Sequence, residues 1–164
     1  MRLQRLLRRA GLAALAGALV ILAIPIAGCA KLPLIGGKPT VKLKIAGTAD
    51  LNNCGKSSAS LSFRVVQATD ASPLTGATLL QFWDREKDLL AGSFVDVSET
   101  KFVDPGKSVE FVVPLKPDTR AVVVVGNFCK TLGSCWYVVA PRKGGGGVKL
   151  DLTADASCLS ARRK

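Results

Sequence analysis

Histidine is missing from all 164 positions. That absence removes Ser-His and Cys-His nucleophile pairs, together with every His-ligated metal. Acidic residues are scarce too, 12 against 23 Lys and Arg, and nothing in their spacing marks a catalytic pair. Gly144 to Gly147 is the only long glycine run, but no Gly-Lys-Ser/Thr follows it, so it is not a phosphate loop. No cofactor fingerprint occurs, and no short Cys-x2-4-Cys spacing supports a four-cysteine zinc site. The chain is therefore expected to be a binding or structural protein rather than an enzyme, with no metal, no cofactor and no small-molecule substrate. Its basic residues are spread singly, often alternating with apolar ones, which argues against nucleic acid as a partner.

What is present is decided first by Ile26-Ala27-Gly28-Cys29. Arg2, Arg5, Arg8 and Arg9 precede an apolar run from Ala10 to Ile24, and small residues then lead into the cysteine. This is the pattern of a bacterial lipoprotein signal peptide, residues 1–28, with Cys29 as the lipidated first residue after cleavage. An uncleaved membrane-spanning helix is the competing reading, but Pro25 and Gly28 break its far end and no aromatic belt marks an exit. One acyl chain binds a membrane only marginally, at about 0.8 kcal/mol per buried methylene. The several chains of a bacterial lipoprotein hold almost permanently. Ala30 rather than Asp follows the cysteine, which in enteric-type sorting sends the protein to the outer membrane, its folded part facing the periplasm.

Residues 29–164 suffice for one domain with its own core. Loss of four arginines with the leader leaves 19 basic against 12 acidic residues, a net charge of +7, a balance suited to anionic lipid head groups or an acidic protein. Residues 29–39, with two prolines and a Gly-Gly pair, read as a tether able to reach roughly 30 Å. A β-domain is expected over 40–160, and 161–164 as a basic tail. Val41, Leu43 and Ile45 alternate with lysines, and Leu61, Phe63 and Val65 alternate with Ser62 and Arg64, the period of half-buried strands. The polar loop between them is long for a hairpin, as binding loops often are. A short helix is expected within Leu74 to Trp83, then a dense charge run at Asp84 to Asp88 that reads as a solvated turn or exposed helical edge. Strands are expected near Phe94 to Val97 and on both sides of a Pro105-Gly106 type II turn, with Val109 to Pro114 as the returning strand of a hairpin. Ala121 to Phe128 is apolar enough to be a central strand covered on both faces, with Trp136 to Val139 as its hairpin partner. The fold class this predicts is all-β, a two-sheet antiparallel sandwich with a short helical insertion.

With Cys29 lipidated, Cys54, Cys129, Cys135 and Cys158 remain in an oxidising compartment, where an even count implies disulfides. Three pairings are possible. If Cys129 and Cys135 sit opposite each other across a hairpin their separation suits a bridge, which favours Cys129 with Cys135 and Cys54 with Cys158.

The landmarks, in order, resemble the type VI secretion lipoprotein family, TssJ, also called VasD-like or SciN-like. They are the lipobox Ile26 to Cys29, Leu51-Asn52-Asn53 with Gly55, a second strand Leu61 to Gln67, Gly76 to Trp83, Asp104 to Ser108, and Trp136. An aromatic common late in the second strand is Val66 here, and Tyr137 stands where an Arg often follows the Trp. The resemblance implies a transthyretin-like sandwich on the inner leaflet of the outer membrane. It also implies a partner, the periplasmic region of the inner-membrane protein TssM, with Leu51, Asn52, Asn53, Gly55 and Lys56 of the first loop as contact residues. The competing function is a lipoprotein of another class, such as an envelope chaperone, inhibitor or assembly accessory.

Overall fold

The computed structural model describes residues 37–55 and 57–162. The leader, Cys29, most of the tether, Lys56, Arg163 and Lys164 lie outside the described residues. Among the described residues nine strands form: β1 (Thr40–Gly47), β2 (Leu61–Ala68), β3 (Phe94–Val97), β4 (Lys101–Val103), β5 (Ser108–Pro114), β6 (Ala121–Asn127), β7 (Tyr137–Pro141), β8 (Val148–Ala154) and β9 (Leu159–Ala161). They make two sheets. The first has the order β5-β1-β8-β9. The second has the order β3-β2-β6-β7, with β4 beside β3 on the same edge of β2.

Alternation decides which faces meet. Val41, Leu43 and Ile45 of β1, and Leu61, Phe63 and Val65 of β2, are buried in one core, while Lys42 and Lys44 point outward. Phe63 meets Phe111 of β5 edge to face across the two sheets, with ring centres 6.2 Å apart. Val122, Val123, Val124 and Val125 of β6 are all fully buried. The register pairs Val125 with Arg64 and Val124 with Val65, so alternate valines face the space between the sheets and the outer side of the second sheet.

That outer side is covered by the helical insertion. Helix α1 (Leu79–Phe82) falls within the expected stretch and starts with a capping box, Thr78 and Gln81 each bonding the other's backbone N–H. A second helix, α2 (Glu86–Leu90), starts inside the charge run. The expectation of a solvated run holds at Asp84, Arg85, Lys87 and Asp88, which are exposed, and is corrected at Glu86, which is buried. The Arg64 guanidinium donates to Glu86 at 3.1 Å, pairs with Asp84 at 2.7 Å and lies 4.5 Å over the Trp83 ring. Arg64 thus fastens the insertion to the sheet, and removing one side of such a buried pair costs about 3–5 kcal/mol.

Two further expectations are corrected. The sandwich is not wholly antiparallel, since β1 and β8 run parallel. Strand β7 ends beside the start of β6, so the glycine-rich link returns the chain to the end where β1 begins, and β8 has to run the same way. The Pro105-Gly106 turn also forms as expected, with Gly106 at φ 69° and Lys107 N–H donating to Asp104 O at 3.1 Å. It is a corner between sheets, however: β4 pairs with β2 in one and β5 with β1 in the other.

The end of the sandwich where β1 begins is tied by two polar side chains. Gln67 is fully buried. Its amide donates to Pro114 O at 3.0 Å, and its Oε1 accepts from the Lys116 N–H at 2.9 Å and the Thr119 hydroxyl at 2.7 Å. The Arg142 guanidinium donates to carbonyls of Lys116, Pro117 and Thr119 on one loop and Gly145 and Gly146 on another, at 3.1–3.2 Å. One planar guanidinium with five N–H donors thus bridges five carbonyls and links the two loops.

Candidate functional site: a disulfide-tied loop end

Strands β1, β6 and β8 all finish at the other end of the sandwich, where the loops after them gather. The β1–β2 loop dips inward at Leu51, which is fully buried. Asn52 follows at φ 47°, a left-handed conformation that asparagine tolerates better than most residues. Its backbone N–H donates to Asp155 O at 3.0 Å, its side-chain Nδ2 to Ser60 O at 3.1 Å, and its Oδ1 accepts from Cys129 N–H at 2.8 Å. Asn53 N–H donates to Ala156 O at 3.1 Å, and Asn53 Oδ1 accepts from Gly55 N–H at 2.8 Å. Two asparagines therefore splice three loops: β1–β2, β6–β7 and β8–β9.

Two disulfides complete the splice. Cys54 is bonded to Cys129 and Cys135 to Cys158, with Cα separations of 5.4 and 5.0 Å. The favoured pairing of Cys129 with Cys135 and Cys54 with Cys158 is thereby corrected. The register that sets Val125 against Tyr137 places Cys135 opposite Asn127, two residues short of Cys129. Cys129 is instead drawn to the first loop by its bond to Asn52. Cys135 is drawn to the last loop, where its carbonyl accepts from Leu159 N–H at 2.7 Å.

The five candidate contact residues divide. Leu51 and Asn52 are buried and act within the fold, Asn53 is half-buried, and Gly55 is exposed at φ 103°. Lys56 lies outside the described residues. The β6–β7 loop, not among the residues expected from the sequence, exposes Lys130 to Ser134, with Leu132 70% accessible. Beside it Leu80 of α1 is 89% accessible, and a groove lined by Leu79, Leu80, Trp83, Asn127 and Thr131 runs between them. A lone leucine in the polar stretch Lys130 to Ser134 was the available signal. Among the described residues no group of three His, Cys, Asp or Glu side chains would hold a metal, and no helix is long and apolar enough to cross a membrane. The arrangement is a loop end tied by two disulfides and two asparagines, with an exposed groove beside it.

A family model described as type VI secretion lipoprotein, VasD, EvfM, TssJ matches residues 39–157. No curated protein is similar enough in sequence to count as a relative. Among solved structures, Serratia marcescens Lip, a membrane-bound component of the type VI secretion system, is 16% identical with a TM-score of 0.67. That match covers 76% of this chain and 97% of Lip. The type VI lipoprotein TssJ1 of Pseudomonas aeruginosa is 20% identical with a TM-score of 0.64, over 77% of this chain and 98% of that one. A chain in a structure of the TssM C-terminal domain (869–1107) from EAEC is 18% identical with a TM-score of 0.61, over 76% and 98%. These likenesses establish a shared two-sheet sandwich.

Proposed function

Because the chain belongs to the type VI secretion lipoprotein family, TssJ, we propose that it anchors the secretion membrane complex to the outer membrane by holding the periplasmic domain of TssM. The family is one of structural secretion lipoproteins, and the role is mechanical. Lipid on Cys29 holds one end, residues 29–39 form the tether, and the sandwich over 40–160 carries load to the partner from the periplasmic side. The observation that carries this reading is the family match over 39–157. Geometry supports it: the described chain enters at the start of β1, and the disulfide-tied loops lie at the far end of that eight-residue strand, about 25 Å away. Loops already tied by two disulfides and two asparagines lose little entropy when a partner orders them.

The contact surface in this reading comprises Asn53, Gly55 and Lys56 with the neighbouring tip Lys130 to Ser134, while Leu51 and Asn52 hold that surface in shape. Titration of the oxidised chain into the periplasmic region of its cognate TssM tests it. A saturable 1:1 complex with a dissociation constant of about 1 μM or tighter, some 8 kcal/mol of binding, is expected. No binding at tens of micromolar, of the order of 6 kcal/mol, would overturn it.

A further inference from the structure

The two sheets differ in what covers them. The second sheet carries the helical insertion on its outer face, whereas among the described residues nothing lies over the outer face of the first. That open face is basic: Lys42, Lys44, Lys149 and Arg162 share it with the two carboxylates Glu110 and Asp151, four charges against two. Compensation is uneven along it. Lys44 has Glu110 at 3.2 Å and stands level with Asp151 on β8. Lys42 stands level with Val112 on one side and Lys149 on the other, and among the described residues neither lysine makes an ion pair.

Like charges directly opposite on neighbouring strands are destabilising. An uncompensated pair beside an exposed valine, 58% accessible at Val112, fits a surface that brings both negative charge and an apolar layer. We infer that this face rests on anionic lipid head groups. The occupant follows from where the chain enters. Residues 1–36 precede the described part, which begins at the end of β1 nearest Lys42. From Cys29 the intervening residues reach about 26 Å at most. With lipid on Cys29, as proposed above, a bilayer stays within that length of the start of β1, whereas nothing ties an acidic protein there. The face lies opposite the helical insertion, so such docking leaves the tied loops free. The inference rests on the lipid-anchor part of the proposed function and is independent of TssM.

The test uses the lipidated chain, purified from membranes and reconstituted into vesicles of phosphatidylcholine alone or of phosphatidylcholine with phosphatidylglycerol. Lysine labelling by an amine-reactive reagent is read by mass spectrometry. Lys42 and Lys149 are expected to label about fivefold more slowly on the anionic vesicles, the factor corresponding to ~1 kcal/mol per lysine at such a surface. Lys107 and Lys130 should not change. Protection should vanish near 1 M salt, where the screening length is about 3 Å, and the protection of Lys149 should be lost in the Lys42→Glu chain. Equal labelling on both vesicles overturns the inference, as does protection that appears only when the periplasmic region of TssM is added, which would assign the face to protein. A chain that fails to float with either vesicle overturns the lipid anchor and this inference with it, and leaves TssM binding to its own titration.

Discussion

Asn52 carries more of the loop end than any neighbour of its size. Three hydrogen bonds tie it to Ser60, Cys129 and Asp155, and its backbone sits at φ 47°. Asn52→Ala should lower unfolding stability by about 2–3 kcal/mol, from unsatisfied partners and from losing the polar side chain that lets asparagine tolerate the left-handed conformation. Asn52→Gly keeps the conformation and should cost about 1 kcal/mol less. Denaturant titration of both variants checks this, and an alanine variant indistinguishable from the parent would contradict it. Asp70 shows the same chemistry on a small scale at the other end. The Ser72 backbone N–H and hydroxyl donate to its carboxylate and hold its pKa below the ordinary aspartate value. Its small contribution is therefore present above the unfolded pKa and lost as pH falls through the folded one.

At the scale of elements, the disulfides divide the work by span. Cys54–Cys129 closes 75 residues and Cys135–Cys158 closes 23, so chain entropy alone assigns them about 4.5 and 3.4 kcal/mol as ceilings. Cys54→Ala/Cys129→Ala should lower the Tm more than Cys135→Ala/Cys158→Ala. A non-reduced tryptic digest, which cuts at Lys130 between Cys129 and Cys135, should yield Cys54 linked to Cys129. A Cys129–Cys135 link, or the reverse order of Tm, would contradict the account. These pairings were not legible in the sequence, because they depend on where β6 stops pairing with β7. Strands β1 and β2 were legible, since Val41, Leu43 and Ile45 against Lys42 and Lys44 leave one apolar face and one choice of register. Within the charge run Asp84 to Asp88, Glu86 alone departs from the solvated reading, for a different reason. Glu86 is neutralised by Arg64, 22 residues earlier on β2, and no local pattern announces so distant a partner.

At the scale of the whole sandwich, the two ends are locked by different chemistry. Gln67 and Arg142 lock the end where β1 begins, and asparagines and disulfides lock the other. The sandwich class was legible from strand periodicity. The parallel β1–β8 pair and the sheet-crossing Pro105-Gly106 corner were not, because alternation gives a strand's faces but not its neighbours. Half of the candidate site was legible: the first loop stood out by its length, but burial removes Leu51 and Asn52 from its surface, and the β6–β7 tip joins only through Cys129. The most direct measurement is amide hydrogen exchange on the chain with and without the periplasmic region of its TssM. The account predicts added protection at residues 53–58 and 129–134 and none at 40–42 or 141–147. Added protection confined to 40–42 or 141–147, or none anywhere, would contradict it.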